Sequence, residues 1–422
     1  MTTRKMRYIL ILLFTICSDT TFYAVVFDRL ESIEKYAAKL EEYPNADNIL
    51  QMGDWLDPNY TTFHKKHLPG LIDRILTKLW LRKPAWTASD FATLLQKTVT
   101  KQKRDSYTGR FVLKLKPKPN SSFIIFGNIH GSFHSLIRNL KELKRQKIID
   151  DSLKIIKPDY YIVFIGNVID RSPFILETLT LVMRLIDNNP QKVFYIKGDH
   201  EDKNKWHRYG LRRELVLRAS GFSKNDIPLG SLMNTFFDTL PLALYLVTSS
   251  SEKTVNVIRI SSFPLEDKEL REEKYGNFWD IPVDEKPIGY KLSEEKKLPT
   301  KEIKLDSLIT IERWSLAAIR GGKRIRDYSP EAGLLFWGKK NGVAEWSVFS
   351  SNTNTTRRLF GFIYDSFVIL TTALEIDDWK ISLWSREAPL QEDKKPVFQK
   401  IVEYNLISGS KVKNDEKAIS SD

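Results

Sequence analysis

Three short apolar runs, each stopped by a glycine and followed by polar residues, constrain this chain more than any other feature. Phe123-Ile124-Ile125-Phe126 runs into Gly127-Asn128-Ile129-His130-Gly131. Tyr160 to Ile165 runs into Gly166-Asn167-Val168-Ile169-Asp170-Arg171-Ser172. Val193 to Ile196 runs into Lys197-Gly198-Asp199-His200-Glu201. Runs this short and apolar throughout read as strands buried on both faces. Their carboxyl ends carry the chemically capable residues, where ligands gather in open α/β sheets. After the first run, Phe133, Leu136, Ile137, Leu140 and Leu143 fall at helical spacing, so strand, glycine loop and helix stand in line. After the second, Ser172-Pro173 predicts a helix start with proline at its first position. Both helices are expected to aim their amino ends at the loops and so favour an anion such as phosphate.

The three segments resemble the signature of the calcineurin-like metallophosphoesterases, in particular the serine/threonine phosphoprotein phosphatases. That family reads GDxHG, GDxxDRG and GNHE; here the segments read GNIHG, GNVIDRS and GDHE. The interval from Asn167 to Asp199 is typical, while the interval from Asn128 to Asn167 is longer and predicts an insertion around residues 146–158. Phe236 to Ala243 is similar to the family's FNxLPLAA stretch, Asn277 to Asp280 to LWxD, Ala318 to Gly322 to IRGH, and Ser347 to Ser351 to VFSxP. The resemblance covers roughly residues 121–386. It implies a two-sheet α/β sandwich flanked by helices. Residues 255–260 are expected to form one strand of it, and residues 367–370 and 379–384 its closing strands.

In that family two divalent ions share a bridging carboxylate and water, and supply a hydroxide nucleophile to the phosphoryl group. Carried over, the resemblance makes His200 the proton donor, Asp170 its orienting carboxylate and Arg171 a phosphate-binding residue, with Arg320 a second one. His130 is kept as a metal ligand. Asn128 and Asn167 stand where aspartates belong, the second being the bridging position, and Asp199 replaces an asparagine. Ser262 (or Ser261) and Gly322 replace the last two histidines. His207 is the last of the six histidines, so none downstream substitutes. Two divalent ions about 4 Å apart repel by on the order of 16 kcal/mol at an effective dielectric of 20. A neutral amide at Asn167 does not offset that as a carboxylate does. The set His130, Asp199, Asn128 and Asn167 therefore predicts no dinuclear centre. It leaves room for one weakly held ion, Mn²⁺ or Mg²⁺ rather than Zn²⁺.

Three functions follow. The favoured one is a degenerate phosphatase that binds phosphorylated protein or a small phosphoester through Arg171, His200 and Asp170. The second is an active phosphomonoester or phosphoprotein hydrolase with a reduced metal site. The third is a non-catalytic interaction platform on the same fold, with His130 and the Asp170–Arg171 pair as structural groups. Trp206 and His207 are expected to cover the site.

The remainder of the chain supplies context. Net charge is +13, from 66 Lys+Arg against 53 Asp+Glu. That suits a phosphorylated or otherwise anionic partner, or solubility alone, because the charges are spread and no motif specifies nucleic acid. Residues 1–26 read as an export signal. Arg4, Lys5 and Arg7 precede an apolar stretch at 8–17 that is too short to span a bilayer; an uncleaved amino-terminal anchor is the alternative. Cys17, the only cysteine, excludes an internal disulfide. Residues 27–110 read as a helical extension. Phe27, Leu30, Ile33, Tyr36, Ala37 and Leu40 share one face, a second amphipathic piece covers 68–81, and Thr87 to Asp90 has capping-box spacing. His64 and His67 read as an exposed loop rather than a ligand pair. Residues 111–406 are assigned to the phosphoesterase domain, and 407–422 to a frayed polar tail. Within that domain, 111–117 predicts an edge strand with a lysine face, and 285–306 a surface insertion.

Overall fold

A computed structural model describes residues 27–40, 88–104, 111–219, 229–251, 254–262, 288–291, 304–313, 330–340, 343–350, 363–387 and 397–412. The export segment, His64, His67, the 68–81 piece, Asn277 to Asp280, Arg320 and Gly322 lie outside them.

The parallel strands form where the sequence places them. Helices α1 (Leu30–Ala37) and α2 (Ala88–Arg104) precede β1 (Phe111–Leu115) and β2 (Ser122–Phe126) in the chain. Then come α3 (Phe133–Arg145), β3 (Tyr160–Phe164), α4 (Ile175–Asn188), β4 (Val193–Tyr195), α5 (Leu211–Ala219) and α6 (Leu229–Asp238). The remaining strands are β5 (Ala243–Ser251), β6 (Thr254–Ser261), β7 (Ile288–Lys291), β8 (Lys304–Arg313), β9 (Leu334–Lys340), β10 (Val343–Val348), β11 (Tyr364–Thr371), β12 (Lys380–Glu387) and β13 (Gln399–Asn405).

Two mixed sheets result. One has six strands in the order β13-β12-β11-β2-β3-β4, and the other seven in the order β7-β1-β5-β6-β8-β10-β9. β2, β3 and β4 pair in parallel. Their side chains alternate between two cores, as a strand's period of two requires. Phe123, Ile125, Tyr161 and Val163 join Leu113, Leu246, Ile258 and Trp346 between the sheets. Ile124, Phe126, Ile162 and Phe164 join Phe133, Leu140, Leu179 and Phe236 beneath the helices. The fold is thus a two-sheet sandwich with helices on the outer face of the six-stranded sheet. α1 rests on α3 through Phe27, Tyr36 and Phe133, and the Tyr36 hydroxyl donates to Glu177 on α4 at 3.0 Å. No helix among the described residues is long and apolar enough to cross a membrane.

Four expectations need correction. β1 is not an edge strand: it lies between β5 and β7, and Lys114 is buried. Part of the proposed insertion at 285–306 is β7, which closes that side of the sheet. The chain beyond 406 does not fray at once, because Val412 N–H donates to Glu403 O at 2.8 Å and Asn405 N–H to Ser410 O at 2.9 Å. The helix after the second loop begins at Ile175, not Pro173. Its amino end is not open to phosphate, since the buried Glu214 carboxylate accepts Ile175 N–H at 3.0 Å and Leu176 N–H at 3.3 Å.

One ion network crosses from helix to sheet. Asp365 on β11 is fully buried and accepts from Arg138 of α3 at 2.6 and 2.9 Å and from Arg386 of β12 at 3.0 Å. Burial pushes its acidity down, but the two guanidiniums outweigh that and hold its pKa below the ordinary 3.8. A lowered folded value means the stabilisation is present above 3.8 and is lost as pH falls through the folded pKa. We expect Asp365→Asn to cost about 3–5 kcal/mol near neutrality, by leaving two mostly buried arginines without their carboxylate. The difference from wild type in denaturant unfolding should shrink below pH 4; a pH-independent difference would exclude this assignment.

Candidate active site

The three glycine loops meet at one end of β2, β3 and β4, and backbone hydrogen bonds stitch them together. Ile129 and His130 N–H donate to Asn167 O at 3.1 and 2.8 Å, and Gly131 N–H to Val168 O at 2.7 Å. Gly127 N–H donates to Ser350 Oγ at 3.0 Å just past β10, and Asn128 bridges to Phe349. A side chain at Gly127 would place its Cβ 2.2 Å from Val348 O, so glycine is required for this approach.

Four non-glycine residues of these loops hold positive φ: His130 at 50°, Asn167 at 49°, Asp170 at 70° and Arg171 at 61°. Side chains avoid that region unless surrounding structure imposes it, and such strain gathers at functional sites. At Asn167 the imposing group is Glu201, which is fully buried. Its carboxylate accepts Asn167 N–H and Val168 N–H, both at 2.9 Å, and the Tyr195 hydroxyl at 2.7 Å. Burial first, and then the Glu201 charge, push the Tyr195 hydroxyl well above its ordinary pKa, so it stays protonated and donates.

His200 and Asp170 come together as expected. His200 Nδ1–H donates to Asp170 Oδ2 at 2.7 Å, and the other oxygen of Asp170 accepts Leu211 N–H at 3.1 Å. Asp170 is wholly buried, and burial raises its pKa against the opposing pull of His200 and then of Arg171. The pair fixes the neutral imidazole tautomer, with the hydrogen on Nδ1. Arg171 is half-buried, and its N–H donates to Tyr209 O at 3.2 Å. The His130 ring lies edge-on to His200 with centroids 5.0 Å apart. His130 Nδ1 faces Ile169 O at 3.0 Å; a carbonyl only accepts, so this nitrogen carries the hydrogen.

The donor set does not suit two divalent ions. Asn128 and Asn167 are neutral amides, and Asn167 Oδ1 already accepts His200 N–H at 3.3 Å. The Asp199 carboxylate faces Lys205 Nζ at 3.5 Å. Ser261 and Ser262, at the end of β6, are buried but bring no imidazole. Among the described residues no group of three His, Cys, Asp or Glu side chains is placed to hold an ion.

The ring against His200 belongs to Tyr209, at 4.9 Å between centroids, a residue the sequence reading did not single out. Trp206, expected to cover the site, is buried and donates through Nε1 to Asn234 of α6 at 2.7 Å. Glu201 and Glu214 were missed as well. Their only sequence signal is an acid placed just after a glycine loop or one turn into a helix.

The strand–loop–helix sandwich thus places a His–Asp pair and an adjacent arginine at the loop ends. Residues 121–310 match the family described as Calcineurin-like phosphoesterase. Over this stretch the chain is similar to metallophosphoesterases of the protein phosphatase type. The serine/threonine-protein phosphatase PP2A-like PPG1 of Candida albicans is 28% identical over 122 residues, 29% of this chain and 26% of that protein. The serine/threonine-protein phosphatase BSL2 of Arabidopsis thaliana is 32% identical over 119 residues, 28% of this chain and 11% of that protein. The chain therefore spans only a minor part of the relatives it matches. A solved Saccharomyces cerevisiae protein serine/threonine phosphatase, described as similar to human phosphatase PP5, shares 14% identity. It covers 77% of this chain and 98% of its own, with a TM-score of 0.46.

The Glu201 clamp is testable. Glu201→Gln turns one acceptor oxygen into a donor facing backbone N–H groups. We expect a loss of about 1–3 kcal/mol and faster amide hydrogen exchange at Asn167 and Val168. Unchanged exchange at those two amides would show that the carboxylate does not hold the loop.

Proposed function

We propose that this chain is a degenerate phosphatase that binds phosphorylated protein through Arg171, His200 and the Asp170 that orients it. One observation carries the reading. The buried His200–Asp170 pair stands at 2.7 Å beside Arg171, while the two positions that would anchor ions are the amides Asn128 and Asn167. A phosphate dianion needs charge-assisted donors, and the Arg171 guanidinium supplies them without a metal. The matched stretches of serine/threonine-protein phosphatases support phosphoprotein as the ligand class.

The reading predicts that the chain binds a phosphopeptide more tightly than the same peptide without phosphate. Arg171→Ala should weaken the phosphorylated form by about ten- to a hundredfold, the worth of a hydrogen bond to a charged group. Equal affinity for both peptides would reject it. The double change Asn128→Asp, Asn167→Asp should restore ion uptake, read as bound Mn²⁺ by elemental analysis, where wild type takes up less than one equivalent. Full occupancy by two ions in wild type would contradict the donor-set argument.

The same His200–Asp170 geometry favours a second reading, hydrolysis with His200 as proton donor and a reduced metal site. Turnover of an aryl phosphate that is lost in His200→Ala would select it over the first.

A further inference from the structure

The segment from Lys203 to Arg213 links the His200 loop to α5, and its charge is one-sided. Lys203, Lys205, Arg208 and Arg212 are exposed. The acids close by in sequence divide into two kinds. Glu201 and Glu214 are fully buried and bind backbone N–H groups inward. Only Asp199 and Asp202 remain near the surface; the first is met by Lys205 at 3.5 Å, and the second accepts Asn204 N–H at 2.8 Å. The outward charge of this rim is therefore positive.

The rim is also fixed relative to the pocket. Tyr209 O accepts Arg171 N–H, and Leu211 N–H donates to Asp170, so both members of the Asp170–Arg171 step hold the segment. Trp206 anchors its middle on α6. Cations on a pinned backbone around a pocket focus anionic partners better than the same charges on a free loop.

We propose that this rim selects phosphopeptides whose phosphorylated residue is flanked by acidic side chains. The inference rests on the phosphate-pocket reading and adds the sequence context of the ligand. Peptide is favoured over single-stranded nucleic acid because such binders stack bases on exposed aromatic rings. Of the two large aromatics in this segment Trp206 is buried, and Tyr209, which is exposed, lies against His200 and offers a single ring rather than a row of them.

The test measures equilibrium binding of the full chain to a phosphoserine peptide with acidic flanks and the same peptide with alanine flanks. The unphosphorylated acidic peptide and a single-stranded RNA of matched charge complete the set. Each is measured from low salt to about 0.5 M salt, where the Debye length falls to a few Å. The acidic-flanked phosphopeptide should bind about tenfold tighter than the alanine-flanked one at low salt, the sum of several exposed charge pairs. That gap should close with salt. It should also close in the triple variant Lys203→Ala, Arg208→Ala, Arg212→Ala, with the alanine-flanked peptide unaffected. Equal binding of both phosphopeptides to wild type across the salt series overturns the inference and leaves the pocket standing. Equal binding of the acidic peptide with and without phosphate removes the pocket and this inference together. RNA binding tighter than the acidic phosphopeptide overturns it in favour of nucleic acid. The wild-type salt series decides the matter even if the triple variant does not fold.

Discussion

A single buried carboxylate organises the functional end of this molecule. Glu201 leaves water completely, which is costly for a charge unless polar partners replace the lost hydration. Two backbone N–H groups of the second loop and the Tyr195 hydroxyl do so. Because Asn167 and Val168 lie in the loop after β3 while Glu201 follows β4, satisfying the charge fixes the two loops against each other. Gly198 follows from the same geometry: a Cβ there would lie 2.3 Å from Glu201 Oε2 and 2.4 Å from Asn167 N. The left-handed backbone at Asn167 is the local cost of presenting its N–H to that carboxylate. Once the loop is held, Asp170 emerges on the buried side, positioned to accept the hydrogen bond of His200 Nδ1–H.

The sandwich provides the platform that makes this arrangement possible. β2 and β3 are buried on both faces, so neither can slip by one residue without exchanging its two cores. Their carboxyl ends therefore stay in register with β4, and the loops that follow always arrive side by side. The Arg138–Asp365–Arg386 network ties α3, which leaves the first loop, to the antiparallel half of the same sheet.

What was readable in the sequence follows from this physics. Strands buried on both faces are apolar throughout, and glycine marks each close approach, so β2, β3, β4 and the loops that follow them were legible. The pairing of His200 with Asp170 was legible only through resemblance. Lys114 shows the limit. The alternation in β1 marks a strand, but whether its lysine sees water depends on β5 and β7, which lie far along the chain. Ser172-Pro173 has the local chemistry of a helix start, yet Ser172 Oγ donates to Gly131 O at 2.8 Å and serves the first loop instead. The helix then starts two residues on, at donors capped by Glu214. Tyr209 has no periodic or motif signal; its place on His200 arises because Tyr209 O and Leu211 N bind the Asp170–Arg171 step.

The substitutions at the site form a pattern when charge is followed rather than residue type. In a dinuclear phosphoesterase the acids lie inward and hold cations, and the cations hold the phosphate. Here the inward acids at 128 and 167 are amides, and an acid has moved to 199, where Lys205 meets it. The buried charges that remain, Asp170 and Glu201, are each spoken for by protein donors. Positive charge for an anionic ligand must then come from side chains, and the chain supplies it at Arg171 and along the rim beyond His200. Under the proposed binding role, a site built this way gives up the Lewis acidity needed to activate water but keeps the field needed to recognise a phosphate. Recognition of that kind weakens with salt far more than metal coordination does, because its charges stand near the surface, where mobile ions reach them. In that proposed role the substitutions at 128, 167 and 199 and the cations beyond His200 belong together, as two parts of one change in where the positive charge resides.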